Sequence, residues 1–128
     1  MALRDQLRVM VVDDMSTSRG LITQALDAFG IRAVASTSDG PSALKALESS
    51  PVHLVISDFN MPGMDGLQLL HALRSGARTK GVGFILITGK ADKAIIEKGR
   101  QLGMNNFLKK PFDPSDLRAC IEAVVGRL

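Results

Sequence analysis

Residues 54–63 read Leu54-Val55-Ile56-Ser57-Asp58-Phe59-Asn60-Met61-Pro62-Gly63, an apolar run that stops at a carboxylate and then turns. Leu54, Val55 and Ile56 form a short, continuous run with β-branched members, as in a strand covered on both faces. Pro62 and Gly63 are strong turn formers, so the strand cannot continue past Asn60. Met64-Asp65-Gly66-Leu67 then opens a helix with Asp65 as its N-cap. Asp58 therefore sits at the carboxyl end of a central strand, the edge of an α/β sheet where ligands and chemistry collect. Taken alone, such an aspartate serves equally well as a turn residue.

The same pattern recurs along the chain. Val9-Met10-Val11-Val12 runs into Asp13-Asp14. Met15-Ser16-Thr17-Ser18 offers hydroxyl caps to a helix whose apolar face is Leu21, Ile22, Ala25, Leu26 and Phe29, closed by Gly30. Ile31 to Ala35 reads as a weaker strand, interrupted by Arg32 and hence placed near the sheet edge. Asp39-Gly40-Pro41 starts a helix through Leu44 and Leu47 that ends before Pro51. After the Asp58 strand, a helix over 65–75 carries Leu67, Leu70 and Leu73 and is closed by Gly76. Ala77 to Val82 reads as an exposed loop. Phe84-Ile85-Leu86-Ile87 is the next buried strand and stops at Thr88-Gly89-Lys90. Ile95, Ile96 and Leu102 mark a helix ending at Gly103, and Asn106-Phe107-Leu108 is a short strand that runs into Lys109-Lys110-Pro111. Asp113-Pro114-Ser115-Asp116 opens a last helix through Leu117, Ile121, Val124 and Leu128. This alternation predicts an α/β, doubly wound parallel sheet of five strands with helices on both faces.

Composition sets the remaining bounds. A chain of 128 residues with 45% apolar content is expected to form one domain spanning 1–128 with a real core. The 16 basic and 13 acidic residues give a net charge of +3, but the cations are scattered and not interleaved with aromatics, which argues against nucleic-acid binding. No apolar stretch is long enough to span a bilayer or to act as a signal peptide. The expectation is a cytoplasmic monomer away from the membrane. Cys120, on the apolar stripe between Leu117 and Val124, reads as a buried thiol in a reducing compartment. His53 and His71 read as structural residues.

Strands of a parallel sheet share one carboxyl rim, so Asp13, Asp14, Asp58, Thr88 and Lys110 are all expected there. Three adjacent carboxylates repel one another unless a cation intervenes. Hard oxygen ligands with no histidine or cysteine among them suit Mg2+. Lys110 and Thr88 then suit a phosphoryl group, one by charge and one by hydrogen bond, and Asp58 could attack phosphorus to give an acyl phosphate. Each residue has a plainer reading as a cap or a solvated lysine; their joint placement on successive strand ends carries the weight.

The stretches Val11 to Asp14 (VVDD), Ser57 to Gly66 (SDFNMPGMDG), Leu86 to Gly89 (LITG) and Lys109 to Phe112 (KKPF) resemble the response-regulator receiver domain of two-component signalling. The resemblance covers nearly the whole chain and is nearest to the single-domain chemotaxis regulators. It implies a flavodoxin-like strand order 2-1-3-4-5. It also implies that Asp58 accepts a phosphoryl group from the phosphohistidine of a histidine kinase. Asp14 chiefly, and Asp13 partly through water, would hold Mg2+ with Asp58 and the backbone carbonyl of Asn60. Thr88 would bind a phosphoryl oxygen and shift on activation, Lys110 would pair with the phosphoryl group, and Lys110-Pro111 would be cis. Phe107 takes the place of the switch aromatic. The implied partners are the kinase, a downstream protein such as the flagellar motor switch, and a phosphatase. The implied protein is a phosphoacceptor and not a turnover enzyme. Three residues depart from the chemotaxis pattern: Phe107 where tyrosine is common, Lys90 where an acid is familiar, and Met104 where a small residue is usual.

Other functions fit less well. A haloacid dehalogenase-type phosphatase needs a second acid two residues past its nucleophile, and here that position is Asn60. A flavin carrier would place its phosphate against Asp13 and Asp14, with no Trp or Tyr to stack on the ring. Within signalling, a phosphate sink or a phosphorelay intermediate stands beside a motor-binding regulator. Lys93, Lys98, Arg100 and Arg118 read either as a basic output face or as solvated helix surface.

Overall fold

The computed structural model describes residues 2–89 and 93–128; Lys90 lies outside them. Five strands, β1 (Arg8–Val12), β2 (Ala33–Thr37), β3 (Leu54–Asp58), β4 (Gly83–Thr88) and β5 (Asn106–Lys109), alternate with helices. These are α1 (Leu3–Gln6), α2 (Ser16–Ala28), α3 (Gly40–Ser49), α4 (Gly66–Ser75), α5 (Lys93–Gln101) and α6 (Pro114–Val125). All strand pairs are parallel, in the order β2-β1-β3-β4-β5. The doubly wound expectation therefore holds, with its strand order as the resemblance implied.

Side chains alternate across each strand, so the central strands feed two separate cores. Val9, Val11, Leu54, Ile56, Ile85 and Ile87 pack with Ile22 and Leu26 of α2 and Leu117, Cys120 and Ile121 of α6. Met10, Val12, Val55, Phe84 and Leu86 pack on the other face with Leu47 of α3, Leu69, Leu70 and Leu73 of α4, and Met104. Both faces of β3 are covered, and all five of its residues are buried, as the uninterrupted apolar run requires.

Caps form at three of the anticipated helix starts. Asp39 accepts from Ser42 N at 2.7 Å. Asp65 and Gln68 form a capping box, as do Asp113 and Asp116, each satisfying two orphan N–H donors. Gly103 closes the α5 segment at φ +95°, the left-handed region that glycine enters without a Cβ clash.

Several expectations need correction. β2 is an edge strand, but it runs Ala33–Thr37, two residues later than anticipated; Ile31 is instead buried beneath it in the α2–α6 core. No hydroxyl of Ser16, Thr17 or Ser18 caps α2, whose N-cap is Met15 with no side-chain bond. Leu21 is 64% exposed, because the buried stripe is centred on Ile22, Leu26 and Phe29, at i, i+4 and i+7, and leaves Leu21 at its margin. The Ala77 to Val82 loop is not wholly exposed: Thr79 and Val82 are buried, and Thr79 Oγ1 donates to Leu73 O at 2.6 Å. The last helix ends at Val125, and Leu128 reaches the core from beyond it.

Candidate functional site

The carboxyl rim collects the anticipated residues. β1 delivers Asp13 and Asp14 one and two positions past its end, and β3 ends on Asp58 itself. The three carboxylates present oxygens within 4.8 Å of one another. Lys110 arrives from the far side of β4, just past β5. Its Nζ stands 3.1 Å from Asp58 Oδ1 and 3.9 Å from Asp13 Oδ2. Thr88 ends β4 and is 2% exposed; its carbonyl accepts from Lys110 N at 2.8 Å. Asn60 follows two residues after Asp58, exposed in the turn. Lys110-Pro111 is cis.

The backbone around Asp58 is tightly enclosed. Phe59 N donates to Ile87 O at 2.8 Å, and Gly66 N donates to Phe59 O at 2.9 Å. A Cβ on Gly66 would lie 2.6 Å from the Asp58 carbonyl oxygen and 2.8 Å from Leu86 Cδ1. Only glycine lets α4 start this close to the strand end, so the helix braces the turn that carries Asp58.

Charge is poorly balanced within this hollow. Asp58 is 6% exposed. Its pKa is raised, first by burial, with Asp13 and Asp14 adding to the rise while the hydrogen bond and charge of Lys110 oppose it. Asp13 is fully buried. One of its oxygens accepts from Met15 N at 3.0 Å, and the other has no hydrogen-bond donor. A buried carboxylate oxygen without a donor is costly. With an oxygen-only ligand set, that orphan atom suits a hard divalent cation of the Mg2+ type.

Residues expected to act elsewhere fall as follows. Phe107 is half-buried, on the α3–α5 side of the sheet, in register with Leu86. Cys120 is buried with its thiol pKa pushed up to about 11 by desolvation, so it is not a nucleophile at neutral pH. His53 Nδ1 accepts from Arg8 N at 2.9 Å, a structural role; His71 is exposed. Lys93, Lys98 and Arg100 are exposed on α5. Arg118 does not join them: it lies over the Phe29 ring at 5.8 Å and pairs with Glu122, on the α2 side of the sheet.

Sequence reading missed Arg19, whose Nη1 donates to Asp13 O at 2.7 Å. The available signal was a cation in the first turn of α2, where the helix dipole disfavours it. It also missed Arg74, which ties distant loops at the opposite end of the sheet.

Residues 9–122 match the response regulator receiver domain. The chain belongs to that family. A probable chemotaxis protein CheY from Rhizobium etli is 44% identical to this receiver over 128 residues, covering 100% of the chain and 99% of the relative. The chemotaxis protein CheY of Pseudomonas aeruginosa is 34% identical over 122 residues, covering 95% and 98%. Among solved structures, Vibrio cholerae CheY4 superposes with a TM-score of 0.88 at 28% identity, covering 93% of this receiver and 98% of that chain. The receiver domain of a sensor histidine kinase from Pseudomonas aeruginosa, with a magnesium ion coordinated in its active-site cleft, superposes with a TM-score of 0.85 at 26% identity, covering 94% and 98%. This receiver is therefore similar to chemotaxis response regulators in sequence and in fold.

Proposed function

We propose that this receiver, reading residues 1–128 as one domain, is a phosphorylation-activated response regulator of a chemotaxis pathway. Asp58 accepts a phosphoryl group from the phosphohistidine of a histidine kinase. The observation that carries the reading is the rim itself, with Lys110 Nζ 3.1 Å from Asp58 Oδ1 and three carboxylates converging beside it.

An Asp58 oxygen attacks phosphorus as the P–N bond to the donor imidazole breaks, and the leaving imidazole nitrogen takes up a proton. Lys110 gives up part of its pairing with the carboxylate and meets the incoming phosphoryl oxygens. Thr88, buried at the end of β4, supplies a hydroxyl to one of them. Asp13, Asp14, Asp58 and the Asn60 carbonyl are the residues that would hold Mg2+. When bound, the ion supplies charge neutralisation on the phosphoryl oxygens. The orphan oxygen of Asp13 supports that assignment.

An apolar groove lined by Met15, Leu21, Ile22 and Phe112 opens beside Lys110. Met15 and Leu21 are 59% and 64% exposed, which supports this groove as the seat of the kinase's phosphohistidine domain. Movement of Thr88 is read out through Phe107, which changes the α5–β5–α6 surface offered to a downstream protein such as the flagellar motor switch.

Incubation with a small acyl phosphate and Mg2+ should add one phosphoryl group to the wild-type protein by intact mass and none to Asp58→Asn. Labelling of the variant at the wild-type rate would mean that the nucleophile lies elsewhere.

A further inference from the structure

We infer that Arg19 is a positioning residue for the acidic hollow, fixing the turn that presents Asp13 and Asp14; the inference rests on the Mg2+ reading above.

The turn between β1 and α2 lacks the usual means of order. Its N-cap residue is Met15, which makes no side-chain bond to the helix. The hydroxyls that follow do not substitute for it. Side-chain bonds tie the turn down at two points. Asp13 Oδ1 accepts from Met15 N at 3.0 Å, and Arg19 Nη1 donates to Asp13 O at 2.7 Å. The first of these uses a carboxylate oxygen of the site itself. The second is the contact made by a residue that is not one of the acids.

Arg19 lies in the first turn of α2, where the positive end of the helix dipole disfavours a cation. A charged hydrogen bond to the Asp13 carbonyl is what offsets that cost. The bond leaves the Asp13 backbone held from both sides, since Asp13 N also donates to Thr37 O at 3.1 Å on β2. With the main chain anchored, Oδ2 stays aimed into the hollow while Oδ1 is engaged at the turn.

Two effects of Arg19 on a divalent cation oppose each other. Its charge repels the ion, and its hydrogen bond holds the ligands in place. Arg19 is partly solvent-exposed, so its repulsion is screened. The 2.7 Å bond acts directly on the backbone of a ligand-bearing residue. Positioning therefore dominates, and the two effects predict opposite signs for the same substitution.

The test is Mg2+ titration by calorimetry of the full chain, with no phosphodonor present, for wild type, Arg19→Met and Arg19→Lys. Met keeps the aliphatic stem and removes both donor and charge. Lys keeps the charge and a donor nitrogen, and one N–H is all that the bond to Asp13 O uses. Arg19→Met should weaken Mg2+ binding about tenfold, the loss expected for one charge-assisted bond, and Arg19→Lys should recover at least half of that loss on a logarithmic scale. Amide hydrogen exchange at Asp14 and Met15 in the metal-free protein should quicken in Arg19→Met while the β3 amides stay protected. Mg2+ binding by Arg19→Met as tight as wild type, or tighter, would overturn the inference. A wild-type protein that itself shows no saturable Mg2+ binding would instead refute the metal reading on which it stands.

Discussion

Asp58 is held in a place that suits chemistry better than stability. Burial raises its pKa, the neighbouring acids push the same way, and Lys110 only partly compensates. A carboxyl group whose pKa is raised on folding stabilises the fold while it is protonated, and that contribution is lost as pH rises through the folded value. At neutral pH the ionised side chain is thus a net cost. Asp58→Asn should therefore unfold at higher denaturant than wild type at pH 7, by about 1 kcal/mol, or roughly 4 °C in melting temperature. The gap should close as pH falls below the ordinary carboxylate range. Adding Mg2+ should narrow it at pH 7 by stabilising the wild type more than the variant, which lacks one of the four proposed ligands. A gap that is absent at pH 7, or that widens toward acid, would show that Asp58 is adequately solvated. The identity of this residue was legible because an apolar strand has few reasons to end on a carboxylate. The 3.1 Å contact with Lys110 was legible only as shared membership of a rim, since nothing in one dimension sets a distance between residues 58 and 110.

At the scale of elements, strands and caps could be read because each rests on local chemistry: β-branched runs, Asp at a helix start, Gly at its end. What escaped was long-range polar bonding. Arg74 in the last turn of α4 has no local signal that marks it out, yet its guanidinium donates to Val82 O at 2.6 Å, Lys80 O at 3.0 Å, Gly103 O at 2.8 and 3.2 Å, and Asn105 Oδ1 at 3.1 Å. Asn105 Oδ1 in turn accepts from Phe84 N at 2.8 Å. One side chain thereby joins α4, the loop before β4 and the turn before β5. The burial of Thr79 in that loop was hidden in the same way, because its hydroxyl finds the Leu73 carbonyl only once the loop folds back on α4. Arg74→Met keeps the stem but leaves several carbonyls without a donor. It should cost about 2–3 kcal/mol in chemical denaturation, with faster amide exchange at residues 80–82 and 103–105, while acyl phosphate labelling of Asp58 proceeds as in wild type. A loss below 0.5 kcal/mol would show that water replaces the guanidinium without penalty.

On the proposed reading, chemistry and readout are set apart across the whole molecule. The acids and Lys110 lie on the rim, whereas Phe107 and the exposed cations of α5 lie along the α3–α5 face. Thr88 stands between them, opposite Lys109 in the β4–β5 register, just as Leu86 stands opposite Phe107. Cross-strand neighbours in a parallel sheet point to the same face, so on the proposed reading a displacement of Thr88 toward the rim would change the space beside Phe107, which packs against the α3–α5 core. Phe107 lacks a hydroxyl, so the proposed switch would act there through packing alone. A ligand shifts such an equilibrium only by its differential affinity for the two states. If the output is motor binding, a peptide from a flagellar switch protein should bind the phosphorylated form at least tenfold more tightly than the unmodified form. Phe107→Ala should reduce that ratio to below about threefold while the rate of Asp58 labelling stays within twofold of wild type. Equal peptide binding by both forms, together with rapid return of phosphoryl groups from this receiver to the kinase, would identify a phosphate sink. In that case Phe107 would be core packing and the basic face of α5 a solvated surface.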